Sequence, residues 1–379
     1  MLLFFSIDLF EGHVGMPIYS RQFIKYYKNP AIILNIRSKQ TNEEKITKEQ
    51  IDNKIIYHLD VNNFGILNFH PIIRTTLEKI LFAEKDIKLL IYPDFIFAPY
   101  INFKYCESNN IKTMLIIHLL YRSYLNNIIE NKALLLMDDM NLAIRGSWLE
   151  NQLIEKTDYL ICNSHYTKRV LYKYYDKNIL STKIIHTIPL GADIDKMIYS
   201  PQLENNNVCY FGRLSPQKGV TYLIADVLNN QEYYQQNPIY VYSSQGYKEY
   251  VTRMIELSYY EHGIKYIGHQ THEQILEELK KYKYCIFPSI YESYCIGLNE
   301  AMAMGKICII NSQFDSGMLD QLNDEYQCAI KLDFSKQSLA QFLQQNANTD
   351  WTHVAENAHK YSNNIKNHFE EFTKILTTN

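Results

Sequence analysis

The chain has 379 residues, 46% hydrophobic and 21% charged, which excludes a disordered tail or a coiled coil and exceeds the roughly 250–300 residues one core serves. Its net charge of −3 argues against nucleic acid as the main partner. Residues 1–198 carry 24 basic and 21 acidic side chains (+3), and residues 199–379 carry 14 and 20 (−6). The mildly basic first half would suit contact with an anionic membrane surface, although ordinary scatter gives the same difference.

The opening MLLFFSIDLF has no basic residue ahead of its apolar run and meets Asp8 at once. It is therefore a poor signal peptide and a good buried strand. No run approaches the roughly 18 apolar residues of a spanning helix. LLFFSIDL leads into the turn FEGHVGMP and the helix IYSRQFIKYY, and apolar runs follow at LLIYP, TMLIIHLL, DYLICN and KIIHTIPL. Ser164 after DYLICN predicts the N-cap of the helix HYTKRVLYKYY. The adjacent Asp138 and Asp139 in LLLMDDMN are read as structural. Seven cysteines (106, 162, 209, 285, 295, 308 and 328) are widely spaced without a C-x-x-C, as expected of free core thiols in a reducing cytoplasm.

The polar stretch 199–207, YSPQLENNN, reads as a linker, and a second strand–helix series follows it. VCYFG is a strand, and Ser215 with Pro216 predicts a helix start. Val220, Leu223, Ile224 and Val227 then form one apolar face. Thr271 and Gln274 predict a capping box. YCIFPSI is a buried strand, LNEAMAMG a helix ending at Gly305, and KICIIN the next strand. The alternation predicts two α/β domains, with ligands outside the carboxyl ends of the strands.

Two segments carry the chemistry. In FGRLSPQKGV (211–220), Arg213 and Lys218 stand where a strand turns into a helix, a natural place for a phosphate or diphosphate. It is not a Walker A loop, since Lys218 precedes Gly219. In PSIYESYCIGLNEAMAMGK (288–306), Glu292 falls in the loop after a strand and Glu300 inside the next helix. Loop and helix carboxylates there could accept hydrogen bonds from sugar and ribose hydroxyls. On spacing alone, both segments are equally ordinary turns with solvated charges.

Together the two segments resemble the family 4 retaining glycosyltransferases (glycosyltransferase group 1) of GT-B fold, in which two Rossmann-like domains face each other across a cleft. The resemblance rests on Gly212, Arg213, Leu214, Lys218 and Gly219, and on Pro288, Ser289, Glu292, Glu300, Ala301, Met302, Ala303, Gly305 and Lys306. GHVG at 12–15 is similar to the family's first glycine loop, and IPLGADID to its strand before the linker. The organisation so implied is an acceptor-side domain (1–198), a nucleotide-sugar donor domain (199–358) and a helix crossing back (359–379).

The resemblance also implies roles. Arg213 and Lys218 would hold the donor diphosphate and stabilise the leaving group, while Glu300 would bind the ribose and Glu292 the transferred sugar. The backbone of Ser293, Tyr294, Cys295, Ile296 and Gly297 would line the sugar and phosphate pocket. Gly12 and Gly15 would allow close approach to the donor, and His118 would face sugar or acceptor. Ser293 and Cys295 stand where the family commonly has glycine, and Leu119 where it has Asp or Asn. No D-x-D motif occupies a comparable strand end, which implies a metal-free transfer with no cofactor.

The expected function is transfer of a hexosyl or N-acetylhexosaminyl group from a nucleoside-diphosphate sugar, a UDP-sugar ahead of a GDP-sugar. The acceptor would be a glycan or glycolipid of lipopolysaccharide, O-antigen or capsule synthesis, met in the cytoplasm or on the inner membrane face. The rivals are a soluble GT-B enzyme (sugar phosphorylase, sucrose- or trehalose-type synthase, nucleotide-sugar epimerase) and a catalytically silent scaffold.

Overall fold

The structure is a computed structural model and describes residues 1–8, 16–39, 44–62, 64, 69–130, 137–243, 246, 248–323 and 325–378. Gly12 and Gly15 lie outside the described residues, as do the side chains of Asp138 and Asp139. The chain divides into two units. The first holds residues 1–126, 136–189 and 368–379, and the second 190–367 with 127–135.

The first unit is an eight-stranded sheet. Its strands are β1 (Leu2–Ile7), β2 (Ala31–Lys39), β3 (Lys45–Ile51), β4 (Lys54–Asn62), β5 (Leu89–Tyr92), β6 (Lys112–Ile117), β7 (Tyr159–Cys162) and β8 (Ile184–Thr187). They run in the order β3-β4-β2-β1-β5-β6-β7-β8, parallel except for the antiparallel hairpin β3–β4 at one edge. The helices are α1 (Met16–Tyr26), α2 (Pro71–Ala83), α3 (Phe103–Ser108), α4 (Tyr121–Glu130), α5 (Met137–Lys156), α6 (His165–Tyr174) and α7 (Lys177–Ser181). Ser164 caps α6 as expected, its hydroxyl accepting from the Thr167 N–H. Central strands such as β1, with Leu3, Phe4 and Phe5 fully buried, are covered on both faces, as a parallel sheet requires.

The second unit is a six-stranded parallel sheet. Its strands are β9 (Val208–Phe211), β10 (Ile239–Tyr242), β11 (Ile264–Gly268), β12 (Tyr284–Phe287), β13 (Ile307–Asn311) and β14 (Ile330–Leu332). Its helices are α8 (Val220–Asn229), α9 (Gln231–Gln236), α10 (Lys248–Tyr259), α11 (His272–Leu279), α12 (Ile296–Ala303), α13 (Leu339–Gln345), α14 (Thr352–Tyr361) and the start of α15 (Ile365–Thr378). The order β11-β10-β9-β12-β13-β14 is that of a dinucleotide-binding Rossmann fold, third-second-first-fourth-fifth-sixth. Strand order therefore reverses between β9 and β12, and the loops leaving those two strands border the crevice where such sheets bind ligands. Alternate residues feed two cores: Tyr210, Val241 and Ile286 one face, Cys209, Cys285 and Cys308 the other. All seven cysteines are free, and all but Cys295 are buried. Lys306 is fully buried and donates to the carbonyls of Tyr282 (2.9 Å) and Ser200, so this lysine anchors backbone beneath the site.

Two features depart from the expected layout. The units divide after Pro189 and after Asn367, nine residues to either side of the boundaries read from sequence. The cause is a short ladder inside the second unit, where the Ala192 N–H donates to Asn363 O (3.1 Å) and the Ile365 N–H to Ala192 O (2.8 Å). The helix predicted from Ser215 is instead a 3-10 turn, Pro216–Lys218, and α8 begins only at Val220. Gly219 breaks the two apart at φ +65°, and the Ser215 side chain caps nothing.

Candidate functional site

The loops after β9 and β12 are locked together by backbone. A Cβ on Gly219 would stand 1.9 Å from the Pro288 carbonyl oxygen, so only glycine allows this approach, and its left-handed φ also favours glycine. The Ile290 N–H donates to Gln217 O (2.9 Å), and Gln217 Nε2 donates to Tyr291 O (3.2 Å). These bonds fix the 3-10 turn that carries Lys218 against the loop that carries Glu292.

Lys218 Nζ donates to Glu292 Oε1 in a salt bridge, and Ser289 Oγ donates to the same oxygen at 3.0 Å. Glu292 is 5% exposed. Its own carbonyl accepts from the Gly317 N–H (2.8 Å), another glycine whose Cβ would strike backbone, at Ser293 O. Arg213 sits on the same turn and is exposed, its Nη2 donating to Gln217 Oε1 at 3.3 Å while Tyr210 holds its carbonyl (2.6 Å). One cation is thus engaged with a buried carboxylate, and the other stands at the surface of the same turn.

The segment from Ser293 to Gly297 runs from Glu292 into α12. Cys295 adopts φ +75°, a conformation that costs a non-glycine residue about 1–2 kcal/mol. The backbone therefore keeps a glycine-like turn although the residue is cysteine. Although the residue is partly exposed, desolvation of the Cys295 thiol pushes it up to about 12, so it is an uncharged group. Gln321, itself buried, donates to the carbonyls of Tyr294 and Cys295. The Tyr294 hydroxyl accepts from Asn363 Nδ2 at 2.9 Å. Gly297 faces Phe211, where a Cβ would stand 2.9 Å from the ring.

Glu300 lies on α12 and is 8% exposed. Its Oε1 is 2.7 Å from Nε2 of His272, the first residue of α11. His272 is a site residue that sequence reasoning missed. Its position was legible, since Thr271 and Gln274 form the expected capping box and fix where α11 starts. Its partner, 28 residues away, was not.

The structure thus brings Arg213, Lys218, Glu292, Glu300 and the 293–297 backbone into one unit, at the carboxyl ends of two adjacent strands. His118 belongs to the first unit, just past β6. Its ring meets Tyr19 edge-on at 5.0 Å, and the Tyr19 hydroxyl lies 2.9 Å from His368 Nε2. Burial, reinforced by the neighbouring His368, depresses His118 to about 4, so its imidazole is neutral near pH 7.

The family model described as glycosyl transferases group 1 matches residues 193–368, the segment that holds all of the site in the second unit. No curated protein matches the sequence. Similar solved structures extend over the whole chain. Sucrose-phosphate synthase from Thermosynechococcus elongatus superposes with a TM-score of 0.74 at 15% identity, covering 100% of this chain and 99% of that one. HepE from Anabaena, solved in complex with UDP and glucose, gives 0.71 at 14% identity and covers 100% of both chains. The α,α-trehalose 6-phosphate synthase from Burkholderia multivorans gives 0.72 at 9% identity, covering 100% and 98%. These likenesses establish the fold, two Rossmann-like domains of GT-B type.

Proposed function

We propose, from the match of residues 193–368 to the model of glycosyl transferases group 1, that the protein moves a hexosyl or N-acetylhexosaminyl group from a nucleoside-diphosphate sugar to a glycan or glycolipid, with retention at the anomeric carbon. The observation that carries this reading is the Lys218–Glu292 pair, set on two loops at the switch point of the sheet and joined by the glycine-tight contact at Gly219. A diphosphate entering there offers Lys218 a second anion. Lys218 and Arg213 then neutralise the charge that develops on the leaving diphosphate, as side-chain cations can in place of a metal. Glu292, relieved of its partner, is left to accept from the sugar. Glu300, oriented by His272, serves the ribose hydroxyls, and the 293–297 backbone lines the phosphates. His118 acts on the acceptor side as a neutral imidazole. The complex of HepE with UDP and glucose supports a UDP-sugar ahead of a GDP-sugar.

For the acceptor we infer a lipid-linked intermediate of lipopolysaccharide, O-antigen or capsule synthesis, met at the cytoplasmic membrane face. Support comes from the basic first half and from exposed Ile144 and Trp148, one turn apart on α5. No described helix is long and apolar enough to cross a membrane. A second reading, a soluble acceptor such as a sugar phosphate, is favoured by the whole-chain likeness to the sucrose- and trehalose-phosphate synthases.

The test pairs UDP- and GDP-sugars with purified protein and follows thermal stabilisation, which binding produces by mass action. Proton NMR of the product then gives the anomeric configuration. UDP-sugar stabilisation and a retained anomer support the reading; no stabilisation by either nucleotide overturns it.

A further inference from the structure

A second pocket lies in the same unit and shares no residue with the site above. It opens on the sheet face beside α11, has a volume of about 340 Å³, and is lined by Asn207, Tyr240, Tyr242, Gln270, Glu278 and Tyr282. Ile267, 43% exposed, and Lys281 complete its rim. Tyr240 and Tyr242 point to one face because they are two apart on β10, and Tyr282 joins them just before β12, its ring centroid 5.3 Å from that of Tyr240.

The polar groups form an ordered chain. The Tyr242 hydroxyl donates to Glu278 Oε2 at 3.0 Å, so its 2.6 Å contact with Tyr282 is a bond the Tyr282 hydroxyl donates. Lys281 Nζ donates to the other Glu278 oxygen at 2.6 Å. The Asn207 carbonyl is committed to the N–H groups of Lys283 and Tyr284, which fixes the strand end that carries its amide. The pocket thus combines the partly exposed Tyr240 ring with a Glu278 carboxylate held by two donors, and with the side-chain amides of Asn207 and Gln270 in its lining.

That combination matches one ligand class. A pyranose has a face of weakly positive C–H bonds and a rim of hydroxyls that both donate and accept. The negative face of a tyrosine ring attracts the first, and carboxylate and amide groups serve the second. The volume falls at the small end of ligand clefts, roughly 300–1,000 Å³. A phosphate-bearing ligand is disfavoured, because the Glu278 carboxylate faces the space and Lys281 is already paired with it.

We propose that the pocket under α11 is a second, non-catalytic carbohydrate site that holds a neutral glycosyl unit against Tyr240. The proposal does not depend on the donor reading, since it needs no nucleotide and uses none of Lys218, Glu292 or Glu300.

The experiment is saturation-transfer difference NMR with the methyl α-glycosides of glucose, galactose, mannose and N-acetylglucosamine, recorded with UDP in excess. We expect transfer to the ring C–H protons of one pyranose face for at least one glycoside, undiminished by UDP. Tyr240→Ala and the milder surface change Gln270→Ala should each lower it several-fold while thermal unfolding shows both variants folded. Absence of transfer from all the glycosides, equal transfer in wild type and Gln270→Ala, or loss of transfer on adding UDP would each overturn the proposal. Thermal stabilisation by UDP is read separately, so failure of the donor reading does not mimic failure of this one.

Discussion

His272 Nε2 lies 2.7 Å from Glu300 Oε1, a bond that ties the first turn of α11 to a carboxylate on α12. The bond holds Glu300 in one orientation. Hydrogen bonds to charged groups contribute about 1.5–3 kcal/mol, and a ribose contact is present in ground and transition states alike. His272→Ala should therefore raise donor KM roughly tenfold with kcat little changed, and Glu300→Gln should raise it at least as much. Steady-state kinetics with varied donor decide this. A fall in kcat at constant KM would place the pair at the reacting centre instead.

The Lys218–Glu292 pair allows two losses to be separated. Arg213→Ala and Lys218→Ala should each lower kcat/KM roughly 10²-fold, the usual scale for removing a group that stabilises developing charge. Only Lys218→Ala should also lower the Tm, because it strands the buried Glu292 carboxylate whereas Arg213 is exposed. Lys218→Met combined with Glu292→Gln should recover the Tm without recovering activity. Equal Tm values for the Arg213 and Lys218 variants, or near-wild-type turnover in both, would show that the pair is surface charge.

The alternation of strands and helices in two α/β series, the two motif-bearing loops and the caps at Ser164 and Thr271 were legible in the sequence, because periodicity and capping act within a few residues. The break at Gly219 was not. Ser215-Pro216 is a sound helix start by local rules, and only the approach of Gly219 to Pro288 shows why the chain turns as 3-10 and restarts. The hairpin β3–β4 escaped notice because β3 is exposed along most of its length and carries a polar sequence with few apolar positions. The His272–Glu300 bond depends on which helices the sheet order makes neighbours, and no spacing rule encodes that.

Gly219 is itself a test of that geometry. A methyl group there would strike Pro288 O and force a left-handed φ on alanine. Gly219→Ala should lower stability by about 2 kcal/mol or more, as strain at a special φ with a backbone clash does, and should abolish transfer by separating Lys218 from Glu292. Gly246, in contact with Leu214, provides a comparison away from the pair. A Gly219→Ala variant with wild-type Tm and activity would mean the two loops are not held as described.

Metal dependence is a separate expectation, resting on the lack of a D-x-D motif at a comparable strand end and on two side-chain cations in the metal's electrostatic place. Single-turnover rates should be unchanged in excess EDTA. Because product release can respond to metal when chemistry does not, multiple-turnover rates alone do not decide the point. Loss of the single-turnover rate in EDTA, restored by Mg²⁺ or Mn²⁺, would refute the metal-free reading.

The pH dependence of the first unit should show two opposing slopes. Burial depresses His368 to about 4, and its Nδ1 lies 3.2 Å from Pro189 O, to which it donates while its Nε2 accepts from Tyr19. The folded chain therefore leaves this ring neutral from about pH 6.5 down to about 4, where the unfolded chain protonates it. The unfolded state binds more protons across that window, so stability rises with pH and is lost as pH falls through it. Glu150 has the opposite sign. Burial raises its carboxyl to about 7, although it accepts from the Tyr121 and Arg122 N–H groups and the Tyr175 hydroxyl. The folded state then holds the extra proton between about pH 4.5 and 7, and stability falls as pH rises through that range. Tm measured from pH 4 to 7 should flatten at its acid end in His368→Gln and should rise more steeply with pH in Glu150→Gln than in the wild type. Each shift of one pKa unit is worth about 1.4 kcal/mol, so both changes in slope are within reach of thermal unfolding. Three parallel curves would show that neither buried group titrates apart from its unfolded value.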